Sequence, residues 1–253
     1  VEVSLDQSWV EAVLLASVRV AAFLFIAPPF AHTAVPARVK AMLSVGLGLA
    51  VAPVVTAGYA TSTDLGGFVL TLLDQLFIGA ALGALVAVVF AAVQSAGGLI
   101  DLFGGFAMAQ AFDPGMQVSG AQFSRLYQLT ALVLLFASDG YQLIIAGLTR
   151  TFAVLPLGES LPVVDPAAAL VAGVTSMFLA ALQIAGPLLV VLFLADVGLG
   201  LLNRVAPALN AFSLGFPLKI LLTVTFAATA FLALPRIVAS LTDQAATILL
   251  GVG

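Results

Sequence analysis

Long apolar runs separated by short polar links set the plan of the chain. The first run, Trp9–Pro29, is interrupted by Glu11 and Arg19 but is long enough to cross a bilayer. Pro28 and Pro29 end it, because proline breaks a helix interior. A basic link, His32–Lys40, carries Arg38 and Lys40 and leads to the second run, Ala41–Tyr59, where Pro53 predicts a kink or an early end. The third run, Gly67–Gln94, contains Asp74. At ~1.5 Å per residue it exceeds a ~30 Å hydrocarbon core, so it must tilt, protrude or be covered by protein. The fourth, Leu126–Leu148, holds Asp139 and Gly140 in its second half, and a turn-rich link, Arg150–Asp165, follows. The fifth, Ala167–Leu194, has a predicted kink at Gly186–Pro187 and precedes a polar segment, Asp196–Lys219. The last run, Ile220–Leu234, ends at Pro235–Arg236, and Ile237–Leu250 reads as a shorter amphipathic helix. The pattern predicts an all-α, polytopic membrane protein of about six long, kinked apolar helices, with residues 1–253 forming a single membrane-embedded unit.

One stretch departs from this plan. Gly97–Ser124 is apolar but broken by Gly97, Gly98, Gly104, Gly105, Pro114, Gly115 and Gly120, with Asp101 and Asp113 among apolar neighbours. Unsatisfied backbone groups are costly in hydrocarbon, so irregular backbone at such a place belongs inside protein or along a polar passage. Two readings stand side by side: a gate or plug element, and an ordinary glycine-rich connection between two membrane helices. Phe106, Met108, Phe112, Met116 and Phe123 surround the glycines. Methionine adapts its shape to irregular gaps, which suits a seal that must yield and reclose as well as it suits plain core filling.

Composition sharpens the picture. The chain is 62% hydrophobic and 8% charged, where soluble domains carry about 25% charge. A net charge of −4 leaves no nucleic-acid footprint. With no cysteine and His32 as the single histidine, neither thiol chemistry nor a histidine metal cluster is expected. No phosphate loop and no nucleophile elbow occurs, so the chain does not read as an enzyme and implies no cofactor. Glu2, Asp6 and Glu11 surround the start of the first run, which is not the positive charge of a signal peptide. The links after runs one, three and five hold Arg38, Lys40, Arg125, Arg204 and Lys219, against Arg150 and Arg236 on the other side. That bias predicts those links to face the cytoplasm. Arg19, Asp74 and Asp139 fall inside apolar runs, where charges are expensive. They serve either a proton or ion relay, as in a small-molecule or ion transporter, or pairing at protein interfaces. Gly79-x-x-x-Gly83 has helix-packing spacing, which an Ala- and Gly-rich chain also yields by chance.

Three stretches together resemble the FliR proteins of the flagellar export apparatus, whose virulence-secretion counterparts are the SctT proteins. The first is Ala27–Pro53. The second runs over Gly98–Asp101, Phe112–Pro114, Phe136–Ile145 and Leu155–Gly158. The third and most specific contains Asp196, Gly200, Leu201, Asn203, Arg204, Pro207, Asn210, Phe212, Gly215, Phe216, Pro217 and Lys219, with Ala208 and Ala211 departing from the family pattern. The resemblance implies a structural, pore-forming subunit of a type III export gate, packed as helical hairpins in a hetero-oligomer. Its implied partners are FliP-like and FliQ-like subunits, an FlhB-like switch protein, other export-apparatus subunits and secreted unfolded protein substrates. Its implied place is the bacterial inner membrane at the flagellar basal body, with a virulence secretion system as the alternative. It implies a plug over roughly Gly104–Gln122, with Gly104, Gly105, Phe106, Met108, Phe112, Asp113, Pro114, Gly115 and Met116 as pore or plug residues. Arg38, Lys40, Asp74, Asp139, Asp196, Asn203, Arg204, Pro207, Asn210, Phe212 and Lys219 are the polar and assembly candidates.

Overall fold

The computed structural model describes residues 7–57, 59–61, 64–106, 122–159, 166–206 and 211–250. Its elements are helices: α1 (Gln7–Ile26), α2 (Ala37–Val55), α3 (Leu65–Phe103), α4 (Gln122–Ala137), α5 (Gly140–Val154), α6 (Pro166–Val205) and α7 (Ala211–Leu250). No strand occurs among the described residues. Four of the helices are long and apolar enough to cross a membrane. Two bent pairs, Gln122–Ala137 with Gly140–Val154 at 77° and Leu214–Ala228 with Ala230–Leu250 at 52°, bring the total to six. The protein is thus an all-α, polytopic membrane protein.

Several boundaries differ from those the sequence predicts. The third run continues as helix nine residues past Gln94, so Gly97, Gly98 and Asp101 are helical rather than irregular. The fourth run is split at Ser138 and Asp139 into α4 and α5. Asp139 takes the left-handed conformation, φ 55°, which aspartate tolerates better than most residues. The fifth run does not end at Leu194: α6 passes through Pro187 and on to Val205, so the polar segment after Asp196 divides between the end of α6 and the start of α7. Pro235 does not end the last run either, because α7 carries both Pro217 and Pro235 within its length. Proline removes one backbone donor but is tolerated in long apolar helices, where neighbouring groups re-satisfy the freed carbonyl.

The chain forms two compact units. The first comprises Val1–Val89, Leu135–Gly173 and Leu241–Gly253. Its core is laid down by α1, whose buried residues Ala12, Leu15, Ala16, Arg19, Val20 and Phe23 recur at helical three- and four-residue spacing. Small residues let backbones meet along this helix. A Cβ at Gly79 would collide with the Arg19 carbonyl oxygen, and one at Gly83 would sit 3.1 Å from the Phe23 carbonyl oxygen. The Gly79-x-x-x-Gly83 spacing is therefore used, and it brings α3 against α1. Gly48 of α2 meets Ser17 of α1 in the same way.

That approach permits one buried polar node. Arg19 has no exposed surface. Its Nε donates to Gln75 Oε1 at 2.7 Å, and its Nη2 and Nη1 donate to the carbonyl oxygens of Leu155 at 2.9 Å and Thr151 at 3.5 Å. The guanidinium also lies 4.3 Å from the Phe152 ring centre. Arg19 thereby caps the C-terminal end of α5, where partial negative charge collects: it meets the Leu155 carbonyl just past the helix and shares the Thr151 carbonyl with the Leu155 amide, which donates to it at 2.8 Å. Gln75 stands one helical turn before Gly79, so the close helix contact is what brings its side chain within reach.

The second unit comprises Phe90–Leu134 and Val174–Ser240. It holds the C-terminal part of α3 from Phe90 on, most of α4, and most of α6 and α7. Its buried apolar residues include Val93, Ala96, Ile100, Tyr127, Leu188 and Leu192.

Removal of the Arg19 side chain should be severe. Arg19→Ala leaves the Gln75 side-chain oxygen and the Leu155 carbonyl buried without their partner, a loss of about 1–3 kcal/mol for each. Arg19→Lys keeps the charge but lacks the fork that reaches three acceptors, and should recover only part of the loss. The level of membrane-inserted, protease-resistant chain checks both: an Arg19→Ala protein as abundant and as resistant as the original would show that the node is dispensable.

Candidate functional site: the neck of the central loop

The residues flanking 107–121 come together within the second unit. Helix α4 begins at Gln122, and the residue before it in the sequence is Ala121, which has no side-chain acceptor to cap a helix. The first amides of any helix lack intrahelical partners. Here they are met from another helix: Asp101 Oδ1 accepts from the Phe123 amide and Oδ2 from the Ser124 amide, each at 2.9 Å. Asp101 is 4% exposed. A buried carboxylate needs charge-assisted hydrogen bonds and favourable dipoles to offset its desolvation, and a helix N-terminus supplies both.

Close packing brings the carboxylate into range. A Cβ at Gly97 would lie 2.5 Å from Ser124 Cα and 2.6 Å from the Phe123 carbonyl oxygen, so only glycine admits α4 at this distance. Ser124 Oγ donates to the carbonyl oxygen of Gln94 at 3.0 Å, one turn further back along α3. Gly98 has nothing within 4 Å of its would-be Cβ, so the two adjacent glycines differ in role.

On the other side of 107–121, the Gly104 amide donates to the Ile100 carbonyl at 2.8 Å and closes α3. A Cβ at Gly104 would lie 2.6 Å from Thr223 Oγ1 of α7, and Gly105 has φ 85°, a conformation natural only to glycine. Phe106 then stacks edge-on against Phe123, with ring centres 5.1 Å apart. Phe123 in turn meets Tyr127 at 6.5 Å, and Tyr127 meets Phe231 of α7 at 5.4 Å, both edge-on. The Tyr127 hydroxyl and Thr223 Oγ1 are buried without a hydrogen-bond partner, which marks the neck as a place where some polar potential is left unspent.

Of the expected plug residues, Gly104, Gly105 and Phe106 stand at this neck. Met108, Phe112, Asp113, Pro114, Gly115 and Met116 lie outside the described residues, as do Pro207 and Asn210. Phe212 lies in the first turn of α7, and its side chain is not among those described. Asp196 and Lys219 pair at 2.7 Å and tie α6 to α7, whereas Asn203 and Arg204 are exposed at the end of α6. Lys40 is buried, with its Nζ 5.1 Å from the Phe25 ring centre, and Arg38 is exposed. Asp74 is exposed on α3. Asp139, also exposed, accepts from Gln142 Nε2 at 3.2 Å in the turn between α4 and α5. The structure brings none of these acids together: Asp74 and Asp139 form no cluster, and no group of metal-binding side chains occurs among the described residues. Asp101 was legible as part of a Gly-x-x-Asp motif but carried no assigned role. The usable signal was that the sequence just before α4 offers no side-chain acceptor, so the amides at its start demand a carboxylate or hydroxyl acceptor from elsewhere.

Comparison with known proteins places this geometry in context. The family model described as bacterial export proteins, family 1, matches residues 10–245. The chain is similar to the flagellar biosynthetic protein FliR of Escherichia coli K12, 33% identical over 221 residues, covering 87% of this chain and 84% of that protein. It is similar to the FliR of Bacillus subtilis at 29% identity, covering 83% and 82%. It is also similar to the Yop proteins translocation protein T of Yersinia pestis, 29% identical over 160 residues and covering 62% and 61%.

The neck gives a paired test. Gly97→Ala forces a Cβ into the backbone of α4 and should cost about 1–3 kcal/mol, the range for overpacking. Gly98→Ala meets open space and replaces a poor helix former, so it should be neutral or gain up to about 1 kcal/mol. Thermal denaturation of the purified assembly separates the two; equal midpoints would mean that α3 and α4 do not touch at Gly97.

Proposed function

The chain belongs to the bacterial export proteins, family 1, and on that premise we infer that it is a structural, pore-forming subunit of a type III protein export gate. The observation that carries this reading is the family match over residues 10–245, which takes in every described helix from α1 to most of α7. We propose the flagellar system as its setting, because the FliR relatives align over more of the chain than the translocation protein does, 87% against 62%. A virulence-type secretion system is the second reading, favoured by that same translocation protein. In this role the chain catalyses nothing: it shapes a passage for unfolded polypeptides across the bacterial inner membrane, with all 253 residues acting as one subunit.

The surface of the protein supports a place among other subunits. The most apolar window of α6 is only 22% buried, and Phe178, Val190, Phe193 and Leu194 are more than half exposed along it. Leu65, Leu70 and Phe77 are likewise exposed along α3. Such faces are covered by lipid or protein. We propose FliP-like and FliQ-like subunits as the protein neighbours, an FlhB-like switch protein as a further contact, and Arg38, Asn203 and Arg204, all exposed, as polar contacts to them. The stretch Gly104–Gln122 is proposed as the closing element of the passage. Apolar side chains exclude water and ions from a constriction without a charged lock, and a translocating chain displaces them. The neck supports this reading because it gathers both ends of the stretch at one place.

Two experiments test the proposal. Produced alone, the chain should be poorly folded, and FliP-like and FliQ-like partners should raise its yield in membranes several-fold; a stable, monodisperse monomer would refute the assembly role. Deletion of residues 104–122 should leave an assembled complex that leaks ions and small dyes. An intact complex in a tight membrane would reduce the stretch to a connection between α3 and α4.

A further inference from the structure

Helix α3 has one face spent inside the protein and another left open. Gln75, Ile78, Leu82 and Val86 are buried at three- and four-residue spacing. Leu70, Leu73 and Phe77 recur at the same spacing on the outside, each more than half exposed. Asp74 stands among them: it follows Leu70 by one helical turn, precedes Phe77 by another, and is itself exposed. It lies roughly 14 Å inside the apolar run, counted along the axis from the start of α3 at Leu65.

The chain itself supplies no cation to this carboxylate. All eight Lys and Arg residues lie in the described segments, and the ion pair found among the described residues is that of Lys219 with Asp196. Among the described residues Asp74 makes no hydrogen bond either. Neither lipid nor water suits such a face. In lipid an ionised carboxylate is expensive, and in water Leu70, Leu73 and Phe77 are. A surface that offers apolar side chains and a cation together satisfies both, and a protein surface does so.

We propose that the Leu70–Phe77 face of α3 is a docking seam for a helix of another gate subunit, which brings a Lys or Arg set among apolar side chains to meet Asp74. The proposal rests on the reading of the chain as one subunit of an export gate. It adds where a neighbour sits and what chemistry it presents. The apolar residues supply the contact area, and Asp74 fixes the register, because any other alignment leaves the carboxylate and its cation unpaired.

Photo-crosslinking in the complete gate reads the neighbour directly. p-Benzoylphenylalanine in place of Phe77 keeps an aromatic ring at the seam. Mass spectrometry should show it attached to another gate subunit, at a helical segment carrying Lys or Arg within one turn of the attachment point. Attachment to phospholipid alone, or to a segment without such a cation, overturns the proposal. The same probe in place of Phe193 on α6 separates the two readings. A subunit captured there beside lipid alone at position 77 sinks the seam only; lipid alone at both positions sinks the subunit reading with it. Asp74→Leu gives a second measurement. It removes a charge from an exposed apolar face, so a face covered by lipid gains from it. At a seam it strands the neighbour's cation, and the yield of assembled gate should fall by ~10-fold or more. Asp74→Glu keeps the charge and should hold the yield near that of the original chain. An undiminished yield with Asp74→Leu, or an equal loss with Asp74→Glu, overturns the proposal as well.

Discussion

In a chain this apolar, a buried polar group has to find its partner inside the protein, and that constraint governs the arrangement of the helices. Hydrocarbon offers no hydrogen bonds, so each polar atom removed from water either meets another or costs several kcal/mol (of order 2–7). Two side chains show the consequence. Arg19 answers the carbonyl end of α5 through the Leu155 and Thr151 carbonyls, and Asp101 answers the open amides at the start of α4. Each is a charge of the sign that the helix terminus it meets requires. Each cap comes from a distant part of the sequence, so each fixes one helix against another as well as satisfying it.

Both contacts depend on backbones coming closer than side chains ordinarily allow. Gly79 and Gly83 admit α3 to α1 next to the Arg19 node, and Gly97 admits α4 to α3 next to Asp101. A helical glycine costs about 1 kcal/mol against alanine, and the sequence accepts that cost where it brings a polar pair into range. Apolar side chains elsewhere do the opposite. Those of α6 and the start of α3 remain outside, where they form the surface that a subunit of a larger membrane assembly presents to its surroundings.

Family membership and local geometry then answer different questions. Membership of the bacterial export proteins gives the role in protein export, which no single residue of the chain declares. Geometry gives the neck, where Gly104, Gly105 and Phe106 on one side face Phe123 and Ser124 on the other. A transporter built on intramembrane acids needs those acids gathered at one site. Asp74 and Asp139 are both exposed, and Asp139 serves a turn.

The sequence by itself determined the membrane character, the helical class, the approximate number and order of the apolar helices, and the export-gate family. Those follow from hydropathy, from the absence of competing motifs, and from short ordered motifs such as that around Asn203 and Arg204. It did not determine where helices break. Gly97, Gly98 and Pro235 read as interruptions, yet helix continues through all three, because in apolar surroundings backbone hydrogen bonding overrides local propensity. The real break at Ser138–Asp139 carried only a weak local signal. The roles of Arg19 and Asp101 were decided by tertiary structure alone. Their partners lie up to 136 residues away in the case of Arg19 and 22 or 23 in that of Asp101, and no local pattern encodes which helix terminus a buried charge will meet.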